Sequence, residues 1–173
     1  MKLKVLLITL MLMAPLAKSV AQETATTIMD KAYAQAKKEN KNVFVMFHAS
    51  WCGWCKKMEK NMQADATKKM FDDNFVSTAL VVQESPKNKA LENPGADELL
   101  LKFKGDRAGL PFWVILDPKG NVLADSFDAK GENLGCPSSA EEVAEFISKL
   151  KKTTKLNAKQ LAIIAQTFTI KKG

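Results

Sequence analysis

The sequence predicts an α/β fold: a central mixed β-sheet flanked by helices on both faces, with an extra helix at the C-terminus. Three observations predict it. Val43 to His48 is a continuous apolar run without alternation, as in a central strand covered on two sides. Segments with helical periodicity separate the early strand-like runs, which asks for parallel pairing through right-handed crossovers. Two later strand-like runs flank Asp117-Pro118-Lys119-Gly120-Asn121, a turn sequence that predicts an antiparallel hairpin.

The elements follow in order. Ile28, Met29, Ala32, Tyr33 and Ala36 recur at helical spacing between Thr26 and Glu39, and Asn40-Lys41-Asn42 breaks the pattern. After the Val43–His48 strand, Ala49-Ser50 closes the run. From Cys52 onward the chain favours helix, with Cys55, Met58 and Met62 on one stripe. Asp65 is the expected N-cap of a short helix through Met70 and Phe71. Phe75 to Val82 reads as a strand, rich in residues that favour one. Ser85 to Ala96 is polar, holds two prolines and a glycine, and is expected to be an exposed loop. Asp97 to Phe103 is a short helix, and Gly105 and Gly109 surround a turn. Phe112 to Leu116 and Val122 to Phe127 form the hairpin. Asp128 to Ser138 is loop-like and holds Cys136. Ser139 opens a helix to about Lys152, with Glu142 at capping-box spacing. Asn157 opens the last helix, carrying Leu161, Ile164 and Phe168.

With 173 residues, the chain suits one domain and a short appendage. A 46% apolar content supplies a core, and a charged fraction of 26% gives disorder little support. Residues 1–21 read as a cleaved export signal. Lys2 and Lys4 supply the positive start, Val5 to Ala17 is uncharged, and Ser19-Val20-Ala21 offers small residues for cleavage. The run is shorter than the about 20 apolar residues that a bilayer core requires. Residues 22–173 are then a single soluble domain, periplasmic or otherwise extracytoplasmic. Removing Lys2, Lys4 and Lys18 from the 26 basic residues leaves 23 against 19 acidic ones, a mild surplus of four. There is no arginine cluster or interleaved aromatic stripe, so nucleic acid is not an expected partner.

Outside the cytoplasm disulfides persist. Three cysteines exclude a multi-bridge scaffold; Cys52 and Cys55 form one Cys-x-x-Cys pair, and Cys136 is left over. Cys52 falls at a strand-to-helix junction, where free N–H groups and the positive end of the helix stabilise a thiolate. Cys55 lies nearly one turn on. Three uses compete: redox exchange, a metal site, and a permanent staple. A staple over so short a loop removes less chain entropy than one closing a long loop. Structural zinc wants four ligands, and the sequence has no second Cys-x-x-Cys and only one histidine, His48. Redox exchange is therefore the expectation, with Cys52 the nucleophile and Cys55 the resolving thiol.

The segment from Val43 through Trp51-Cys52-Gly53-Trp54-Cys55 to Lys56 resembles the active-site strand and turn of thioredoxins. Leu110-Pro111 and the strand to Gly120 resemble their second signature. The resemblance covers roughly Thr26 to Lys152 and implies a thioredoxin-like fold. It further implies that Trp51 packs over the redox site and that Pro111 is cis and lies against the disulfide. The Leu110 backbone would pair with the substrate chain; the plainer reading of Pro111 is a strand-start proline. Two departures stand out. Met46 occupies the place of a buried aspartate that takes a proton from the second cysteine, and Trp54 replaces a proline. The context Lys56-Lys57-Met58-Glu59 is similar to exported disulfide-interchange proteins. Glu59, four residues past Cys55, is a candidate proton relay or a surface partner of Lys56 or Lys60. His48 either tunes the pair or simply ends its strand. Cys136 is read as a small buried or free thiol rather than a third redox group.

The function expected is an exported thiol–disulfide oxidoreductase, with reduction favoured by overall similarity. Its partners would be exported proteins with disulfides and a membrane redox protein. The chain is expected to act as a monomer with no cofactor and no metal. The competing reading is a thioredoxin-fold binding module that grips a partner protein or metal ion without turnover.

Overall fold

The computed structural model describes residues 22–170. The segment read as an export signal lies outside the described residues.

Helix α1 spans Ala25–Glu39; the Thr24 side chain accepts the Thr27 N–H, and Asn40 ends the helix in the left-handed region at φ 53°. Its Met29, Ala32 and Ala36 are buried, the stripe that the periodicity predicts. Strand β1, Asn42–His48, is buried from Val43 to Phe47. It pairs in parallel with β2, Phe75–Val81, and antiparallel with β3, Phe112–Leu116. Strand β4, Val122–Asp125, completes the order β2-β1-β3-β4.

Side-chain alternation along β1 sorts the core into two layers. Phe44 and Met46 point with Trp113 and Ile115 to one face. That face is covered by α2 (Gly53–Met62), α3 (Lys68–Asn74), α5 (Ala140–Thr153) and α6 (Ala158–Phe168). Val43, Val45 and Phe47 point with Phe112, Val114 and Leu116 to the other, covered by α1 and α4 (Ala96–Lys102). Trp113 is fully buried and stacks on Phe44 with ring centroids 5.6 Å apart. The capping box of α5 is complete: the Ser139 hydroxyl accepts the Glu142 N–H, and Glu142 accepts the Ser139 N–H. The chain belongs to the fold class expected, with helices on both faces and an added C-terminal helix.

Three local expectations need correction. Asp65 does not cap α3. Thr67 and Lys68 both donate N–H bonds to the Ala64 carbonyl, so a tight turn precedes the helix and leaves Asp65 exposed within it. Thr67 is the N-cap residue, and its hydroxyl donates to the Asn61 carbonyl instead of accepting a helix N–H. The segment from Ser85 to Ala96 is not a plain exposed loop. Pro86–Leu91 forms a 3-10 helix, and buried Asn93 accepts the Val81 N–H and donates to the Glu23 carbonyl. Strand β4 stops at Asp125 rather than Phe127, because the Asp125 side chain accepts the Phe127 N–H and turns the chain out of the ladder. Phe127 then forms an isolated bridge with Asn133.

Candidate redox site

Strand β1 delivers its C-terminal end to a short turn. The Cys52 N–H donates to the Ala49 carbonyl at 3.0 Å, which closes the turn and makes Cys52 the N-cap of α2. Cys52 and Cys55 are joined by a disulfide, with Cα atoms 5.3 Å apart. The Cys52 sulfur also accepts the Cys55 backbone N–H at 3.1 Å. The sulfur is thus aimed at the helix N-terminus, where unpaired N–H groups favour negative charge once the bond is reduced.

Both cysteines are buried, at 3% and 2% exposure, between Ala49 and Leu110. Around them the surface is open. Trp51 and Trp54 are exposed, and a Cβ added at Gly53 would meet nothing within 4 Å. The Trp51 indole N–H donates to the Gln83 carbonyl at 2.9 Å, which ties this ring to the chain leaving β2. The Leu110–Pro111 peptide is cis, and Leu110 packs against the cysteine pair. Two sequence segments some sixty residues apart therefore meet at the disulfide, as the resemblance implies.

The sequence reading missed Glu84. Its side chain is only 5% exposed, yet it carries a carboxylate. One oxygen accepts the Ser50 N–H at 2.5 Å and the other the Ser50 hydroxyl at 2.8 Å. The Ser50 backbone N–H, more than any other group, holds this carboxyl below its usual range. Parallel register explains the meeting. His48 lies opposite Val81, so the two chains leave the sheet side by side and Glu84 reaches Ser50. An acid just past the end of the second strand was the signal available.

His48, Met46, Glu59, Met62 and Ser77 line a cavity of about 180 Å³ on the α2 side of the sheet. His48 is half-buried, and burial depresses its pKa, opposed by Glu59 and Glu84. Its neutral form is favoured near neutrality. Glu59 is exposed, and the ion pairs among the described residues do not join it to Lys56 or Lys60. Cys136 is 6% exposed, and burial pushes its thiol up to about 11. A thiol of that acidity is a poor nucleophile at neutral pH. Among the described residues, no group of three or more His, Cys, Asp or Glu side chains is placed to hold a metal ion.

The family model described as thioredoxin-like matches residues 24–118. Bovine protein disulfide-isomerase A5 is 38% identical over 64 residues, which cover 37% of this chain and 12% of that protein. Maize protein disulfide-isomerase is 26% identical over 126 residues, covering 73% of this chain and 20% of its own. The chain thus spans a fifth or less of the length of these relatives. The crystal structure of a disulphide isomerase from Xylella fastidiosa Temecula1 is 22% identical, covers 58% of this chain and 72% of that one, and superposes with a TM-score of 0.48.

Proposed function

The chain belongs to the thioredoxin-like family, and from that premise we propose that it is an exported thiol–disulfide oxidoreductase that reduces protein disulfides through Cys52 and Cys55. The observation that carries this reading is the disulfide at the start of α2, with the Cys52 sulfur on the helix N–H groups and Leu110 against it. In the reduced protein the Cys52 thiolate attacks one sulfur of a substrate disulfide and expels the other as a thiolate. The Cys55 thiolate then attacks the Cys52 sulfur, forming the Cys52–Cys55 bond and releasing the second substrate thiolate. Two electrons pass to the substrate, and the two released thiolates take up protons. A membrane redox protein with its own dithiol returns the electrons by the reverse exchange. Glu59 is the candidate proton relay for Cys55, in place of the group that Met46 lacks. Trp51, Gly53, Trp54 and the Leu110–Pro111 segment shape the approach to the sulfur.

Export is part of the reading. The basic start, uncharged apolar run and small residues before Gln22 support a cleaved signal. Among the described residues, no helix is long and apolar enough to cross a membrane. Residues 22–173 act as one domain and as a monomer.

Turbidimetric reduction of insulin by dithiothreitol tests the function. The mature protein should accelerate it, and Cys52→Ser should abolish the acceleration while leaving the fold intact. Full activity in Cys52→Ser would remove Cys52 as the nucleophile.

A further inference from the structure

The segment between β4 and α5 is loop-like, as its sequence predicts, and holds Cys136. It is tightly built. The Asp128 carboxylate accepts the Lys130 and Glu132 N–H groups at 2.8 Å each. The Leu134 N–H donates to the Ser126 carbonyl at 2.7 Å, and the indole of buried Trp113 donates to the Gly135 carbonyl at 2.9 Å. The loop is therefore anchored to the core from both ends.

From this fixed base Asn133 reaches across to the segment before β3. Its side-chain nitrogen lies 3.0 Å from the Ala108 carbonyl and 3.1 Å from those of Gly109 and Pro111. Its side-chain oxygen accepts the Gly135 N–H at 3.0 Å, which fixes which end of the amide is the donor. One amide thus gathers the carbonyls on both sides of Leu110. Among the described residues, the Leu110 N–H and C=O themselves have no hydrogen-bond partner. The Leu110 side chain lies against Cys52 and Cys55. A cavity of about 250 Å³ runs alongside, lined by Trp54, Gly109, Leu110, Asn133, Gly135 and Cys136.

We propose that Asn133 is a positioning residue that holds the Ala108–Pro111 main chain so that Leu110 offers a prebuilt peptide edge to an extended protein substrate. This rests on the oxidoreductase reading and adds to it a basis for preferring protein disulfides over small ones. A protein chain laid beside the cysteine pair finds a free N–H and a free C=O already in place, as when a strand is added to an edge. Without the clamp, the same segment must be ordered at each binding event, and affinity falls by that entropy. A small disulfide needs only the sulfur and does not use the edge. The side-chain hydrogen bonds of Asn133 go to main-chain groups of Ala108, Gly109, Pro111 and Gly135 and none goes to Cys52 or Cys55, so the electron affinity of the pair is independent of it.

Asn133→Asp keeps the size and removes the donors; Asn133→Ser shortens the side chain. Each is compared with wild type on insulin and on 5,5′-dithiobis(2-nitrobenzoate), and the equilibrium with glutathione is measured. Expected are a KM for insulin raised about tenfold, a kcat within about twofold, an unchanged rate with the small disulfide and an unchanged glutathione equilibrium. Equal losses on both substrates, a shifted equilibrium, or an unchanged KM for insulin overturns the proposal. A wild-type protein inactive on both substrates defeats the oxidoreductase reading instead, which is a different result. Should neither variant fold, solvent exchange of the Asn133 side-chain amide protons in the wild-type protein decides: protection supports the clamp, and free exchange refutes it.

Discussion

Glu84 carries a charge into a place where charge is unwelcome, and it is retained there by two hydrogen bonds from Ser50. Ser50 is two residues before Cys52, so this pair fixes the turn that sets the nucleophile on its helix. A second layer supports it: the Glu84 N–H donates to the Glu92 carboxylate at 2.7 Å, and Lys89 bonds the same carboxylate. Because the folded protein lowers the Glu84 pKa below the ordinary glutamate value of 4.5, the stabilisation is complete above that value. It fades as pH falls through the lower, folded value. Asp117, Asp128 and Glu142 are lowered too, so the wild-type acid profile alone does not isolate Glu84. The difference between wild type and Glu84→Gln does. Thermal unfolding of both proteins between about pH 3 and 7 should give a gap that is widest near neutrality and closes in acid. A gap constant across that range would mean that the carboxylate's charge contributes nothing beyond its shape.

At the scale of elements, the family match ends at residue 118, yet the core does not. Helices α5 and α6 close the face of the sheet that carries Trp113. Phe146 meets Trp113 at 5.3 Å and Phe168 at 5.2 Å, and Phe168 in turn meets Phe71 of α3 at 6.3 Å. Phe168 is 1% exposed, although it is the last residue of the last helix. Phe168→Ala should therefore cost about 3–5 kcal/mol in urea unfolding, as for other buried phenylalanines. A loss under about 1 kcal/mol would show that α6 frays and adds little to the core. Much of this architecture was legible in the chain. The unbroken β1 run, the hairpin turn, the Ser139–Glu142 capping box and the helix start at Asn157 are local signals, and local physics decided them. Cys52, Cys55 and the Leu110–Pro111 segment were legible because they form compact motifs. Asp65 misled because a preceding turn took the helix start. Glu84 and Asn133 were hidden for the opposite reason: each acts on residues more than twenty positions away, and no spacing along the chain records that meeting.

For the molecule as a whole, the redox state of one bond and the stability of the fold are linked. Oxidised and reduced, folded and unfolded form a closed cycle. The oxidised fold is the more stable one when the native pair holds its disulfide more tightly than the unfolded chain does. Two effects compete. Closing a loop of about four residues restricts the unfolded chain and favours the oxidised fold by about 2 kcal/mol. In the reduced fold the Cys52 thiolate gains the helix N-terminus and the Cys55 N–H, and helix-end charges are typically worth about 0.3–1 kcal/mol. Loop closure is the larger of the two. A reductase should then be more stable when oxidised, by about 1–2 kcal/mol, or about 20–40 mV in the potential of the pair. Urea unfolding with and without dithiothreitol, both followed by tryptophan fluorescence, measures this difference directly. If the reduced protein proved the more stable, the fold would be drawing electrons inward. The chain would then be an oxidant, and the direction proposed for its chemistry would have to be reversed.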